Sequence, residues 1–229
     1  MLYLSITTLF MKIPLFSIPN LEKGIFLTRP NRFVSEIEYN GRIETAHVHD
    51  PGRLKELLIK GREVLFTDSK GKLKYYLKAV RVEQEWILID SAQHTHIALK
   101  VIELLPEFSH IKEIRREVPL GKSRIDFTLD GVPLEVKGCS LVIDGLALFP
   151  DAPTERGTRH VSEIITHKGI ILFLIFRKAN KFSPNKETDP KFAEKLSEAR
   201  KKKIQIIPVQ ISFDGEMLYY HGKIKLKEF

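Results

Sequence analysis

The sequence predicts a protein of two domains, a small β-barrel followed by an α/β domain. Between residues 25 and 90, short apolar strands alternate with Asn-Gly, Pro-Gly and Ser-Lys-Gly turns. After residue 93, helical patterns alternate with strand patterns, which is typical of a sheet with helices on both faces. The chain has 229 residues, of which 43% are hydrophobic. It can therefore bury a sizeable core.

The barrel is placed at residues 25–92, after an N-terminal extension of residues 1–24. Its five strands are expected in GIFLTRPNRFVSEIEY, RIETAHV, REVLFT, KLKYYLKAVRVE and WILID. GRLKELLIKG, between the second and third strands, has the leucine spacing of a short helix. Many short strands favour a closed barrel of the oligonucleotide/oligosaccharide-binding type, the OB-fold, with an SH3-like barrel as the alternative.

The α/β domain is placed at residues 93–229. Helices are predicted in HTHIALKVIELLPE, TERGTRHVSEIITHKG and DPKFAEKLSEARKKK. Strands are predicted in GIILFLIF, IQIIPVQISF and EMLYYHGKIKLK. GIILFLIF is too short to cross a bilayer and indicates a buried strand.

The first residues and the cysteine content bear on the cellular compartment. The apolar start of the chain makes a poor signal peptide because no basic residue precedes Lys12, and Met11 is an alternative start to Met1. Cys139 is the single cysteine, so no disulfide can form within the chain. We expect a cytoplasmic protein without a membrane partner.

The charge of the chain favours a polyanionic partner. Lys and Arg total 37 against 29 Asp and Glu, which gives a net charge of +8. Nucleic acid is such a partner because basic side chains release the counterions of its phosphates. A soluble protein with a basic surface is the plain alternative.

RIDFTLDGVPLEVKG, residues 124–138, predicts a β-hairpin. Asp130-Gly131 suits a two-residue turn in which both residues take positive φ. That turn pairs Asp126 with Glu135, and strand alternation puts both acids on one face with Arg124 and Lys137. The apolar residues of the two strands would lie on the other face, namely Ile125, Phe127, Leu134 and Val136.

Two acids opposed at about 5 Å repel each other unless something compensates the charge. A divalent cation would do so, because Mg²⁺ or Mn²⁺ is commonly held by one or two carboxylates. Lys137 could then orient or deprotonate an attacking water. A solvated ladder of the four charged residues explains the same pattern, and the residues alone leave both interpretations open.

Neighbouring segments contain further candidate residues. In FPDAPTERGTRH, Asp151 or Thr154 could cap the helix that follows. One face of that helix could hold a phosphate; the plain alternative is an exposed amphipathic helix without a binding role. The candidates for nucleic-acid contact are Arg29, Arg32, Arg53, Arg124, Arg156 and His160. Accessory acids are Glu117, Asp151, Glu155 and Glu163. Phe26 and Phe33 in FLTRPNRF are expected in the core. His47 and His49, with Asp50, could ligate zinc, but the sequence offers no further clear ligand beside the two histidines.

Several motifs together resemble the sugar fermentation stimulation protein A (SfsA) family. These are TRPNRF, HVHDPGRLKELL, SRIDF, LEVKG, FPDAPTERGTRH and RKANKFSPNKETDPKFAEKLSEA. The resemblance implies an OB-like domain followed by an α/β domain of the PD-(D/E)XK, or Mrr-like, nuclease type. It places the catalytic set on Asp126, Glu135 and Lys137, and the metal ligands on Asp126, Glu135 and Val136.

Three functions follow as hypotheses. The first is a DNA-binding protein, implied by the family to regulate sugar utilisation, that carries a nuclease-like divalent-metal site. The second is a Mg²⁺- or Mn²⁺-dependent nuclease. The third is carbohydrate binding by the barrel, for which the chain offers little beyond the single Trp86.

Overall fold

The structure, a computed structural model, describes residues 12–121 and 123–229. One continuous sheet of 13 strands runs through it, and a second sheet of four strands is formed by C-terminal residues. The two candidate start positions, Met1 and Met11, lie outside the described residues. Within those residues, every helix is too short or too polar to span a bilayer.

Five strands close the predicted barrel. After β1 (Ile13–Ser17), these are β2 (Glu22–Asn31), β3 (Val34–Tyr39), β4 (Arg42–Val48), β5 (Glu63–Asp68) and β6 (Tyr75–Val82). β2 pairs with β3 and β5, and a parallel pairing of β4 with β6 closes the barrel. This topology confirms the OB type.

The barrel differs from the prediction in three places. The expected first strand is two strands, because Asn31 Oδ1 accepts a hydrogen bond from the Phe33 N–H and turns the chain between β2 and β3. The expected helix in GRLKELLIKG is a series of turns, in which Leu54 has φ +49°. The segment WILID overlaps β7 (Glu85–Leu88), which pairs with β6 but lies outside the barrel closure.

The second half contains three α-helices and ten further strands in its described residues, including all the predicted helices. They are α1 (His94–Leu104), β8 (Ile114–Leu120), β9 (Ser123–Leu129), β10 (Val132–Cys139), β11 (Val142–Ile143), β12 (Leu146–Phe149), α2 (Glu155–Thr166), β13 (Ile170–Ile175), β14 (Lys181–Pro184), α3 (Pro190–Lys201), β15 (Gln205–Phe213), β16 (Met217–Lys223) and β17 (Lys225–Leu226). β10, β13 and β15 are parallel neighbours at the centre of the sheet. Pairing of Phe213 with Trp86 joins β15 to β7 and makes the sheet continuous with the barrel.

Two apolar cores lie on opposite faces of the central strands. The first core holds the barrel interior, the buried face of α1 and residues such as Leu172 and Leu174 of β13. The second holds α2, α3 and the alternate residues Ile171 and Phe173. Helices therefore cover both faces, as predicted.

The N-terminal extension is part of the fold from Lys12 onwards. β1 pairs with β16 near the other end of the chain. The ring of Phe16 stacks on His96 of α1, with 4.0 Å between centroids. The extension therefore packs on the second half of the chain, although it precedes the barrel.

The acid-bearing hairpin has the predicted turn and register. Asp130 and Gly131 both take positive φ, and Leu129 pairs with Val132. The paired ladder of β9 and β10 ends at Phe127 and Leu134, one residue before the two acids.

The predicted alternation is wrong at Ile125. Ile125 packs in the second core, whereas Phe127 packs in the first. Glu117 of β8 faces position 126 with φ +52°, which interrupts the regular pairing of β8 with β9 there.

Candidate metal centre and nucleic-acid cleft

A cleft of about 560 Å³ brings together residues from both halves of the chain. Most of the predicted site residues line it: Arg32, Glu117, Arg124, Asp126, Glu135, Val136, Lys137, Asp151, Glu155, Arg156 and His160. The barrel contributes Arg32 and residues 50–52, and the α/β domain contributes the hairpin and the start of α2. The cleft thus lies where the two domains meet.

Glu135 is the most buried acid of the cleft. Glu135 lies on β10 between β9 and β13, and only 3% of its surface is exposed. Lys137 Nζ donates to Glu135 Oε1 at 2.5 Å, and His160 Nδ1 is also hydrogen-bonded to Oε1. Arg156 Nε donates to His160 Nε2 at 3.3 Å, which leaves the imidazole proton on Nδ1 to be donated to Glu135.

The second carboxylate oxygen of Glu135 has no protein partner. Oε2 is buried and accepts no hydrogen bond within residues 12–121 and 123–229. Burial by itself would raise the pKa of Glu135, but Lys137 and the hydrogen bond from His160 outweigh it, and the pKa is lowered. Glu135 is therefore a carboxylate with one oxygen fixed by the protein and one buried oxygen that needs a donor or a cation.

Asp126 lines the same cleft as Glu135 but has a contrasting environment. Its Oδ2 accepts the N–H of Val136 at 2.7 Å, a hydrogen bond that takes the place of the ladder beyond Phe127. Burial, and then the charge of Glu135, raise the pKa of Asp126 to about 6. Glu117 also raises it. The two acids therefore have their pKa values displaced in opposite directions.

The donor set fits a hard divalent cation with an incomplete protein shell. Asp126 and Glu135 supply carboxylate oxygens, which Mg²⁺ and Mn²⁺ prefer. In the described part of the chain, no three His, Cys, Asp or Glu side chains are grouped as a metal site. A cation here would need water or substrate oxygens to complete its coordination, which is common for Mg²⁺.

Helix α2 begins at the cleft. Thr154 is its N-cap, with Oγ1 accepting the Gly157 N–H at 3.0 Å, so Thr154 and not Asp151 has the capping role. Glu155 and Arg156 in the first turn are exposed at the cleft. The positive end of the helix dipole favours an anion at this position.

Asp151 binds the barrel loop that follows β4. Its Oδ2 accepts the N–H groups of Arg53, at 2.8 Å, and Leu54, at 3.2 Å. Asp50 accepts the Gly52 N–H at 2.7 Å in the same loop. Asp151 therefore links the α/β domain to the barrel by hydrogen bonds at the edge of the cleft.

Three predicted residues lie outside the cleft lining. Arg29 donates to four backbone carbonyls, of Arg32, Asp50, Gly52 and Arg53, so its guanidinium organises the loop. Arg53 is exposed on that loop. Glu163 does not share the cleft face of α2 with His160, because its carboxylate lies against Gly121 at the turn between β8 and β9.

Two titratable residues of the cleft, His94 and Asp50, were not among the predicted cleft residues. His94 lines the cleft, stacks on Phe176 and lies against Gly138, where an added Cβ would meet its ring at 2.1 Å. Burial lowers the pKa of His94 to about 4. Asp50 also lines the cleft, and burial raises its pKa to about 6. Gly138 directly after Lys137 was a signal that another group approaches the strand closely.

Fold and cleft together define a class of protein: an OB-type barrel joined to an α/β domain, with a carboxylate pair at the junction. Family models match both parts, "SfsA N-terminal OB domain" at residues 27–89 and "Sugar fermentation stimulation protein RE domain" at residues 92–217. The chain belongs to the SfsA family.

Relatives of similar length match most of the chain in sequence. Two of those named sugar fermentation stimulation protein homolog illustrate the match. The one from Thermosipho melanesiensis is 40% identical over 221 residues, covering 93% of this chain and 97% of the relative. The one from Methanothermobacter thermautotrophicus is 41% identical over 212 residues, covering 86% and 88%. A solved structure, that of Pyrococcus furiosus SfsA in complex with Ca²⁺, is 32% identical with a TM-score of 0.86 and covers 94% of this chain and 100% of that one.

Proposed function

We propose that this protein binds the backbone of DNA in the cleft between its domains and holds Mg²⁺ or Mn²⁺ there on Asp126 and Glu135. The observation that carries the proposal is the buried, unpartnered Oε2 of Glu135 in a cleft that Asp126 also lines, where the charge of Glu135 raises the pKa of Asp126. A bound divalent cation would neutralise these acids and polarise a phosphoryl oxygen. The complex of Pyrococcus furiosus SfsA with Ca²⁺ supports a divalent site.

The cleft has the electrostatic character that a phosphate backbone requires. Arg32, Arg124 and Arg156 are exposed around it, on the barrel, on β9 and on α2. The arginines and the N-terminus of α2 would contact phosphates, while a cation lies at the acids. The relatives' name supports the further proposal that DNA binding serves the regulation of sugar utilisation.

Calorimetric titration with Mn²⁺ tests the metal site. We expect one site in the unmutated chain and a loss of about 10-fold or more in affinity in Asp126→Asn and Glu135→Gln. Both substitutions keep the shape of the side chain. Equal Mn²⁺ affinity in all three proteins would remove the cation from the proposal.

DNA binding is tested by titration at several salt concentrations. Affinity should fall as the salt concentration rises. Replacing Arg32, Arg124 or Arg156 by Ala should make the plot of log affinity against log salt concentration less steep, by about the contribution of one phosphate contact for each substitution. Arg115→Ala is the matched control, because Arg115 is exposed on β8 but does not line the cleft. Affinity that is independent of salt contradicts the phosphate contacts.

Hydrolysis of the bound phosphodiester is the second candidate function. Lys137 is adjacent to Glu135 in the cleft and only 14% of its side chain is exposed. This acid-x-lysine arrangement on β10, with Asp126 on β9, agrees with a PD-(D/E)XK site by analogy of fold. Lys137 would orient the attacking water, whose oxygen bonds to phosphorus. The bond from phosphorus to one sugar oxygen breaks, and that oxygen takes a proton as the water gives one up.

Cleavage of end-labelled DNA and RNA in Mn²⁺, Mg²⁺ or EDTA tests hydrolysis. Cutting should require the cation and fall by about 100-fold or more in Lys137→Ala and Asp126→Ala. If the unmutated chain binds DNA but cuts nothing with either cation, binding alone is its activity. Cutting that survives both substitutions would come from another source.

A further inference from the structure

A second surface of the barrel carries rings that the cleft does not use. We call Phe33, His47, His49 and Tyr76 the ring platform. The rings of Phe33 and His47 are parallel to within 8°, with 6.4 Å between centroids. Tyr76 lies 5.4 Å from His47 and 6.0 Å from His49. Phe33 is 54% exposed, so its predicted place in the core is wrong, whereas Phe26 is buried.

Neighbouring strands bring these rings to one face. His47 of β4 is the register partner of Tyr76 in the parallel pairing that closes the barrel. His47 and His49 alternate with the buried Ala46 and Val48, so both point outwards. Phe33, at the turn into β3, accepts the Val48 N–H on its carbonyl. The ring platform therefore depends on pairings between distant segments of the barrel.

A buried hydrogen-bond network holds Tyr76 and His49 of the platform in place. Tyr76 Oη donates to Asp90 Oδ1 at 2.9 Å, and Asp90 is fully buried. Lys78 Nζ lies 3.7 Å above the Tyr76 ring and donates to Asp90 Oδ2 at 2.6 Å. His49 Nδ1 is hydrogen-bonded to the Tyr76 hydroxyl. A ligand would therefore meet two rings, those of Tyr76 and His49, that hydrogen bonds already orient, which lowers the entropy cost of binding.

Lysines line a groove beside these rings. The groove, of about 480 Å³, includes His47 and Tyr76 together with the loop between β5 and β6. Lys70 and Lys72 in that loop are exposed and form no ion pair within residues 12–121 and 123–229. Asp68 is the carboxylate among the lining residues. Rings next to unpaired cations suit a ligand with flat faces and a negative backbone.

The ring platform adjoins the cleft. Arg32 precedes Phe33, and Asp50 follows His49; both Arg32 and Asp50 line the cleft. Ser91 also lines it, and its N–H donates to the carbonyl of His49 at 3.1 Å. One extended ligand can therefore contact both surfaces.

We propose that the ring platform stacks unpaired bases of single-stranded nucleic acid, and that the same strand continues past Arg32 into the cleft. Single strands fit because their bases present faces that a duplex keeps stacked inside. The inference names the substrate class for the proposed function and rests on that function for the cleft. Stacking on the platform itself does not require the cation.

Fluorescence anisotropy with a labelled oligothymidylate of about 12 nucleotides, in EDTA, tests the platform separately from the metal centre. Phe33→Ala and His47→Ala should each weaken binding about 10-fold, and Phe33→Trp should retain it because a ring remains. Lys70→Ala with Lys72→Ala should lower the salt slope. Ile143→Ala removes an exposed apolar side chain from the other domain and is the control.

The outcomes separate this inference from the proposed function. Unchanged oligothymidylate affinity in Phe33→Ala and His47→Ala overturns the platform, whatever the Mn²⁺ titration shows. Weaker oligothymidylate binding in these variants, together with normal Mn²⁺ binding, supports the platform. If Phe33→Ala and His47→Ala weaken the binding of a duplex of the same length as much as that of the oligothymidylate, the preference for single strands is contradicted. Displacement of the oligothymidylate by maltohexaose overturns the inference in favour of a carbohydrate ligand.

Discussion

At the scale of single residues, the same chemical group behaves differently in two neighbouring positions. The charge of Glu135 is stabilised by Lys137 and His160, whereas that of Asp126 is opposed by burial and by Glu135. The sequence predicted that both acids and the lysine lie close together, because a hairpin turn and strand alternation are local signals, and all three line the cleft. It did not identify the hydrogen bond from His160, which needs α2 to pack on β10.

Replacing Asp126 by Asn is expected to stabilise the metal-free protein at neutral pH. The folded-state pKa of Asp126 is about 6, above its ordinary value of 3.8. Ionisation therefore costs stability as pH rises from 4 to 6, and Asn removes a cost on the order of 2 kcal/mol. Asn still offers an oxygen to the Val136 N–H. Denaturant unfolding in EDTA should show the gain at pH 7.5 and little difference at pH 4; a gain of equal size at both pH values contradicts the assignment.

Gly138→Ala is expected to destabilise the protein by about 1–3 kcal/mol, because the new Cβ would overlap the ring of His94. Neither group moves easily, since the His94 ring is stacked on Phe176 and Gly138 belongs to β10. Gly71→Ala is the comparison, because its Cβ would meet just the hydroxyl of Ser69 at 3.3 Å. Urea unfolding of both variants measures the difference. Similar stabilities for the two variants would show that His94 can move aside.

At the scale of elements, turn chemistry decided which predictions held. Asp130-Gly131 specified the register of β9 with β10 because positive φ at both residues suits a two-residue turn. Pro30-Asn31 was an equally local turn signal, and treating it as part of one strand hid the turn between β2 and β3. The leucines of GRLKELLIKG suggested a helix, but burial of Leu54 and Leu57 in the barrel core decides the conformation there.

Asp151→Ala is expected to loosen the loop that connects the barrel to the cleft. The substitution removes the acceptor of the Arg53 and Leu54 N–H groups and should cost about 1–3 kcal/mol locally. Hydrogen exchange of residues 50–58 should accelerate. Asp214→Ala is the matched control, since Asp214 accepts the N–H groups of Glu216 and Met217 in another turn. Its effect should be confined to that turn, and unchanged exchange at Leu54 in Asp151→Ala would contradict the fastening role.

At the scale of the whole molecule, the continuous sheet joins the two domains into one body. β7 follows the barrel and pairs with β15, and the edge of the sheet beyond β15 is completed by β16 and β1. The sequence predicted a change from short strands to alternating helices and strands near residue 93. The pairing of its first strand with β16 had no local signal, because the partners are about 200 residues apart.

Removal of β1 is expected to destabilise the second half of the chain rather than the barrel. Ile13, Leu15 and Phe16 pack against the first core. The free energy of unfolding of a chain that begins at Ile18 should therefore be lower by about 2 kcal/mol or more than that of a chain that begins at Lys12. Thermal unfolding compares the two. Hydrogen exchange should locate the loss in β16 and α1. Faster exchange confined to β2 and β3 would place β1 with the barrel instead.

Local chemistry in the sequence determined the types of most elements, the hairpin register and the proximity of the two acids to the lysine, since each depends on neighbours within a few residues. The tertiary structure decided which distant groups meet these residues. His160 reaches Glu135 because α2 packs against β10, Asp151 binds a loop 98 positions away, and the ring platform forms where β4 pairs with β6. Such contacts depend on how strands and helices pack, and no single segment encodes that packing.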